Sequence, residues 1–286
     1  MRSSTEIFEY YRPRLFRLAY SMLGRVTSAE DAVQEAYIRW MKQQPDTIKS
    51  SEAFLSKVVI RICLDELKSA RNRKEVYIGP DLPEPVIQDR SPEDELELAD
   101  SLSMAMLTIM DTLTPAQRAV FLLREFFNYD YETISEFLNR PPAQCRKIMQ
   151  RAKEQMRGKT PSKVAANQDQ HLLISRFVDA ITRGNTEELE EMLREEAVLY
   201  SDGGGKVTAA KQPVYGAPKI AKFLAGIYKQ ANGIMQADFR LVNGEPGMLV
   251  YKDSELFNVW SFHVDEAKIG SIYIVLNPEK LSHLAT

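Results

Sequence analysis

Apolar positions recur at helical spacing through the first half of the chain and shift to period two near its end, which predicts helical modules followed by a mixed helix-and-strand region. Phe8, Tyr11, Leu15, Leu18, Ala19, Met22 and Leu23 mark one face of a first helix, and Gly24 closes it. Ser28 is the expected cap of a second helix, with Ala29, Ala32, Val33, Ala36, Tyr37 and Trp40 as its buried stripe. A third helix is expected from Ser51 to Arg73, with Phe54, Leu55, Val58, Val59, Ile62 and Leu67 inward. Pro80, Pro83, Pro85 and Pro92 then oppose helix, so the first half at least of the stretch from Val76 to Asp100 reads as an extended connector.

From Thr114 to Arg157 the pattern is that of a helix-turn-helix. Asp130 can cap a helix carrying Ile134, Phe137 and Leu138, and Asn139-Arg140-Pro141 breaks it. Pro142 suits the first turn of the following helix, where no amide donor is needed. Ile148, Met149 and Ala152 give that helix an apolar side, and Gln144, Arg146, Lys147, Gln150 and Arg151 fall on the other. Between Arg140 and Lys163 there are eight Lys or Arg and one acid, Glu154, a local field suited to a polyanion.

After Lys163 the period changes. A helix is expected over 171–181, Asn185 and Glu188 have capping-box spacing, and a short strand runs through Ala197-Val198-Leu199-Tyr200. A further helix over 217–231 precedes period-two runs near 236–242, 248–252, 255–263 and 271–276, which predict an antiparallel sheet. Asp202-Gly203-Gly204-Gly205-Lys206 lacks the outer glycine of a phosphate-binding loop, and Val207 stands where its metal-binding Ser or Thr would be. A tight turn or hinge is the expectation.

Composition adds a frame. With 286 residues and 44% apolar content the chain has the size and make-up of a soluble protein of two or three domains. No apolar run approaches a membrane span and no secretory pattern opens the chain, so a cytoplasmic location is expected, with no membrane partner. Cys63 and Cys145, on separate helices, suggest packing residues, with no disulfide framework, metal site or cofactor. Charge is uneven: residues 1–75 hold 14 basic and 10 acidic side chains, 76–112 hold 1 and 9, 113–163 hold 10 and 5, and 164–286 hold 12 and 16. Two basic modules therefore flank an acidic linker, a layout that favours nucleic acid despite a net charge of −3.

The run from Ser28 to Ala36, Phe54-Leu55 through Arg61 to Asp65, Leu113-Thr114-Pro115-Ala116-Gln117-Arg118-Ala119-Val120-Phe121 and the helix-turn-helix together resemble bacterial sigma factors of the extracytoplasmic-function group. The resemblance covers about the first 160 residues and implies two helical domains, sigma-2 and sigma-4, with no catalysis of their own. It implies core RNA polymerase and promoter DNA as partners. Asp31, Gln34, Glu35 and Arg39 would dock on the polymerase clamp helices. The loop from Gln44 to Ser50 and the helix after it would open the −10 element, with Lys57, Arg61, Lys68 and Arg71 on the DNA. Gln144, Arg146, Lys147, Gln150 and Arg151 would serve the −35 element, since Gln pairs with adenine and Arg or Lys with guanine. Arg61-Ile62 replaces the Arg-Asn pair common in the −10 helix, Asn139 replaces the usual Gly, and Pro141 replaces the usual Ser or Thr cap.

Residues 168–286 resemble the SnoaL-like, or nuclear-transport-factor-2-like, α+β fold. Leu82-Pro83-Glu84-Pro85, the Asp202 to Lys206 run and Asn277-Pro278-Glu279-Lys280-Leu281 match a subgroup of sigma factors with such a domain fused. The implied role is modulation within one chain: Asp202, Gly203, Gly204, Gly205 and Lys206 contact the sigma core or linker, and the Asn277 to Leu281 tail favours the active state. The expected organisation is thus sigma-2 at 1–75, linker at 76–105, sigma-4 at 106–160 and the SnoaL-like domain at 168–286. The competing reading is a DNA-binding regulator whose third domain senses a small-molecule effector or is an enzyme, with Tyr200, Asp202, Tyr215, Trp260 and His263 lining a pocket.

Overall fold

A computed structural model describes residues 3–43, 48–73, 77–88, 102–158, 168–230 and 235–284. Most of the loop expected to open DNA, at 44–47, and Pro92 lie outside the described residues, as does the side chain of Arg71. The chain forms two compact units, 1–75 with 109–160, and 76–108 with 161–286.

In the first unit, α1 (Ser4–Leu23), α2 (Val26–Met41) and α3 (Ser51–Arg73) pack together. Ser3 and Glu6 cap α1 reciprocally, and Gly24 ends it at φ +69°, a left-handed conformation that costs glycine little. The second helix starts at Val26, two residues before the expected cap Ser28. The corner after Gly24 already aims the Arg25 carbonyl at the Ala29 amide, 3.0 Å away, so no side-chain cap is used. Trp40 is fully buried and donates its indole N–H to the Ser4 carbonyl at 2.8 Å, tying α2 to the start of α1.

The short α4 (Met104–Met110) is followed by α5 (Pro115–Glu125), α6 (Tyr131–Leu138) and α7 (Pro142–Met156). Thr114 and Gln117 make a capping box for α5, and the Asp130 carboxylate accepts from the Thr133 amide at 2.7 Å to cap α6. Asn139 ends α6 at φ +51°, as the substitution for glycine requires. Pro141 takes the cap position of α7 with its ring at φ −55°, and its carbonyl receives the Gln144 and Cys145 amides at 2.9 and 3.1 Å. Cys145, Met149, Ala152 and Met156 form the buried side of α7. Cys63 and Cys145 are both free thiols buried in packing, and burial pushes both pKa values up.

The second unit builds α8 (Gln168–Arg183), α9 (Thr186–Met192) and α10 (Ala217–Gln230) against a seven-stranded sheet. Its strands are β1 (Ile87–Gln88), β2 (Leu193–Asp202), β3 (Val214–Tyr215), β4 (Met235–Val242), β5 (Glu245–Lys252), β6 (Glu255–Asp265) and β7 (Lys268–Val275), in the order β1-β4-β5-β6-β7-β2-β3. The four period-two runs form the antiparallel meander expected of them, β4 to β7. The strand β2, for which no pairing had been expected, joins it parallel to β7, with β3 and α10 lying between β2 and the meander in sequence. The meander itself turns through two-residue loops, Val242 opposite Glu245, Lys252 opposite Glu255 and Asp265 opposite Lys268.

The sheet has two apolar faces. Phe177, Ile220, Phe262 and Ile272 belong to the core under the helices, while Leu82, Val242, Val259, Tyr273, Val275 and Leu281 form a second cluster. A linker residue, Leu82, and a tail residue, Leu281, are thus core residues of this unit. A short α11 (Pro278–Leu281) follows β7. The architecture of two helical modules and a third α+β domain is the one expected. No helix among the described residues is long and apolar enough to cross a membrane.

Candidate functional site

Four constellations hold the residues singled out above, three in the first unit and one in the second. On α2, Asp31, Gln34 and Arg39 are exposed and Glu35 half-buried, with Arg39 Nε 2.8 Å from Glu35 Oε1 one turn away. Sequence reasoning missed Ile38 and Met41, which are 43% and 46% exposed and share the helical spacing of Asp31, Gln34 and Glu35. The face is therefore a charged strip with an apolar end. The signal was present in the sequence as two large apolar residues outside the Ala29 to Trp40 stripe.

Along α3, Lys57 is half-buried and Lys68 is exposed, its Nζ 3.2 Å from Asp65. Arg61 is exposed yet engaged: its guanidinium donates to the carbonyls of Phe137 at 3.1 Å and Glu136 at 3.3 Å, at the C-terminal end of α6. These carbonyls have no partner within their own helix, so a cation placed there satisfies both charge and hydrogen bonding. Other bonds join the same elements. The Tyr129 hydroxyl lies 2.9 Å from Ser56 Oγ and 3.2 Å from Glu52, and Arg14 donates to the Phe127 carbonyl at 3.1 Å while pairing with Glu52 at 3.0 Å.

Arg118 is buried and spreads its guanidinium over the carbonyls of Met110 and Met22, at 3.2 and 2.8 Å, and the carboxylate of Asp111. It pins α5 to the end of α1.

On α7, Gln144, Arg146, Lys147, Gln150 and Arg151 are all exposed. Arg146 is the most ordered by its neighbours, 3.1 Å from Glu132 and 5.3 Å above the Tyr131 ring. Gln150 donates to Glu154 at 3.1 Å.

The fourth constellation is a clamp on the linker. Asp202, with no exposed surface, accepts at Oδ1 from the Tyr77 hydroxyl at 2.6 Å and the Gly204 amide at 3.0 Å. At Oδ2 it accepts from the Leu82 amide at 3.0 Å and from Lys280 Nζ at 2.7 Å. Lys280 is 1% exposed and also donates to Asp81 and to the Leu82 carbonyl, with its ammonium 4.8 Å from the Tyr77 ring centre. Asn277 donates to the Tyr77 oxygen at 2.9 Å. Burial and then the bond to Asp202 push the Tyr77 phenol well above its ordinary range.

All three glycines of the turn are required by the packing, since a Cβ on Gly203 would meet the Val207 carbonyl oxygen at 2.5 Å. A Cβ on Gly204, at φ +59°, would meet Asn277 Nδ2 at 2.3 Å, and one on Gly205, at φ +72°, would meet Ile78 of the linker at 2.9 Å. Gly203 is buried, and its carbonyl receives the Lys206 amide at 2.9 Å, so the triplet is the tight turn expected. Lys206 pairs with Glu279 at the surface.

Leu82, Pro83, Glu84 and Pro85 are all buried, and the chain continues as β1, pairing Ile87 with Val242. His283 Nε2 lies 2.9 Å from the Pro85 carbonyl. The linker strip, the glycine turn and the 277–281 tail, brought together by contacts spanning 78 to 200 residues in sequence, thus meet around one carboxylate. Tyr77 and Asp81 complete the clamp and had not been singled out by the sequence.

The residues expected to line a pocket separate. Asp202 is in the clamp, Tyr200 stacks on Tyr273 with ring centres 5.3 Å apart, His263 pairs with Glu245 and Tyr215 is exposed. Only Trp260 of the five lines the cavity found between the helices and the sheet. Among the described residues no group of three or more His, Cys, Asp or Glu is placed to hold a metal.

Residues 7–73 match the family model described as Sigma-70 region 2, and residues 103–156 match that described as Sigma-70, region 4. The chain is 30% identical to the ECF RNA polymerase sigma factor SigJ of Mycobacterium tuberculosis, over 96% of its own length and 92% of that protein's. It is 28% identical to the probable ECF RNA polymerase sigma factor SigI of the same organism, covering 96% and 93%. The crystal structure of Mycobacterium tuberculosis SigJ matches with a TM-score of 0.78 at 25% identity, covering 97% of this chain and 98% of that one.

Proposed function

The chain belongs to the extracytoplasmic-function family of RNA polymerase sigma factors, and we propose that its C-terminal domain regulates it in cis by clamping the linker between the two helical modules. As a sigma factor it binds core RNA polymerase and directs promoter-specific initiation of transcription. Nucleotide transfer belongs to the polymerase; this family as a whole is not enzymatic, and the proposal extends that to the third domain.

Within this reading Asp31, Gln34, Glu35 and Arg39, joined by Ile38 and Met41, face the polymerase. Lys57, Arg61, Lys68 and Arg71 hold the −10 strand, and the exposed face of α7 enters the major groove at −35. The work is done in the cytoplasm, where polymerase and promoter are.

The observation that carries the regulatory reading is the buried contact of Asp202 and Lys280 with the backbone of Leu82. A linker held at this point has fewer conformations, so the clamp sets how freely the −10 and −35 modules take up promoter spacing. The Asn277 to Leu281 tail supplies the lysine and favours the active state.

The test is run-off transcription with core polymerase and a cognate promoter. The full chain, a chain ending at Arg157, one lacking residues 277–286 and the Lys280→Met variant are compared at matched occupancy of core. Removing the tail or its lysine is expected to lower specific transcript while core binding persists. Unchanged transcript from both would refute regulation through the clamp.

A further inference from the structure

The second unit contains a cavity of about 500 Å³ between the helices α8 and α10 and the face of the sheet they cover, within the roughly 300–1,000 Å³ range of small-molecule sites. Its walls are mostly apolar, with Ile181, Phe223, Leu224, Met248, Ile274 and Leu276 among them.

The polar side chains on the wall are Lys252, Asn258, Ser201, Thr182, Thr208 and Tyr228. Lys252 is the one charged residue among the described lining residues, and it has no acidic partner among the described residues. Its ammonium lies 6.0 Å from the Phe257 ring centre. Asn258 accepts the Trp260 indole N–H on its Oδ1 at 2.7 Å, which leaves its amide N–H₂ as the free end. Ser201 accepts the Ala210 amide at 3.3 Å, which leaves its hydroxyl hydrogen to donate. An ammonium, an amide and a hydroxyl all offer hydrogen, and no carboxylate among the described residues lines the space.

We propose that this cavity binds a small apolar carboxylate, its hydrocarbon body along the Phe223, Met248 and Ile274 wall and its anionic head on Lys252. A cation of the same shape would lose its hydration and meet no acceptor of opposite charge, whereas a carboxylate forms charge-assisted bonds.

The cavity adjoins the linker clamp through covalent neighbours. Ser201 in its wall precedes Asp202, Leu276 precedes Asn277, and Thr208 to Ala210 continue the turn that begins at Gly203. A ligand against these residues bears on the loop that holds the linker, a consequence that rests on the clamp reading; the binding itself does not.

Calorimetry on the full chain tests the binding, with decanoate as the probe and decylammonium as its cationic counterpart. Saturable binding of one decanoate per chain is expected, weakened at least tenfold by Lys252→Gln, with no saturable binding of decylammonium. Trp40 and Trp260 are the two tryptophans, so Trp260→Phe is expected to remove the decanoate-dependent change in indole fluorescence. Absence of saturable decanoate binding, equal affinity for the two probes, or full affinity in Lys252→Gln would each overturn the proposal. None of these readouts involves transcription, so a failure of the clamp reading would show separately.

Discussion

Lys280 Nζ lies 2.7 Å from Asp202 Oδ2, and neither side chain reaches solvent. Two charges taken out of water are stable together only because each has further partners: Asp202 has the Tyr77 hydroxyl and two amides, Lys280 has Asp81 and the Leu82 carbonyl. Removing the cation alone leaves a buried carboxylate uncompensated. Lys280→Met is therefore expected to destabilise the C-terminal unit by about 3 kcal/mol, seen as a lower midpoint of its thermal transition. The double change Asp202→Asn with Lys280→Met should recover part of that loss. If the single variant melts like the parent, the pair does not hold the linker.

Arg61 has two claims on it. Its guanidinium occupies the end of α6 through the Glu136 and Phe137 carbonyls, yet the same group is proposed for the promoter backbone. A phosphate contact releases counterions, so removing one contact to the opened strand flattens the dependence of log affinity on log salt by about 0.7. For holoenzyme binding to promoter DNA, Arg61→Ala is expected to show that flattening and Arg61→Lys to retain the parent slope. An unchanged slope in Arg61→Ala would make Arg61 a tie between helices only.

For Arg146, the Glu132 carboxylate and the Tyr131 ring hold the side chain at the exposed face of α7. Pre-ordering of this kind lowers the entropy lost on forming a bidentate bond to guanine. Arg146→Ala or Lys147→Ala should weaken binding to the cognate −35 element by about 1–3 kcal/mol in a competition assay. Equal loss on a scrambled −35 sequence would assign the residue to phosphates.

The helical modules were readable because their elements declare themselves locally. Asp130, Asn139 and Pro142 each state a cap, a stop and a start through chemistry that acts within four residues. Ser28 misled for the same reason: a good cap residue was overridden by the corner at Gly24, which set the register first. The parallel pairing of β2 with β7 joins residues such as Leu199 and Ile272, and no local pattern distinguishes that from another antiparallel neighbour. The clamp was half legible. The resemblance pointed to its three segments, but Tyr77 and Asp81 join it through contacts across more than 100 residues, and Lys280 reads as a surface lysine until its burial is seen. The cavity was mis-assigned because alternate strand residues face opposite sides, so His263 and Trp260, three apart on β6, part company.

Glu245 provides a pH test of the second unit. Its Oε1 lies 2.9 Å from His263 Nδ1, while Oε2 is buried with no hydrogen-bond partner among the described residues. Burial raises the Glu245 pKa, opposed by the hydrogen bond from His263. A carboxyl raised on folding contributes stability that is fully present below its unfolded value, about 4.3, and is lost as pH rises through the folded value. Glu245→Gln keeps an oxygen for His263 but cannot ionise. The variant is expected to melt above the parent near about pH 8 and to lose that advantage as the pH falls toward about 4. A melting difference that stays constant across this range would show that Glu245 keeps the same charge in the folded and unfolded chains.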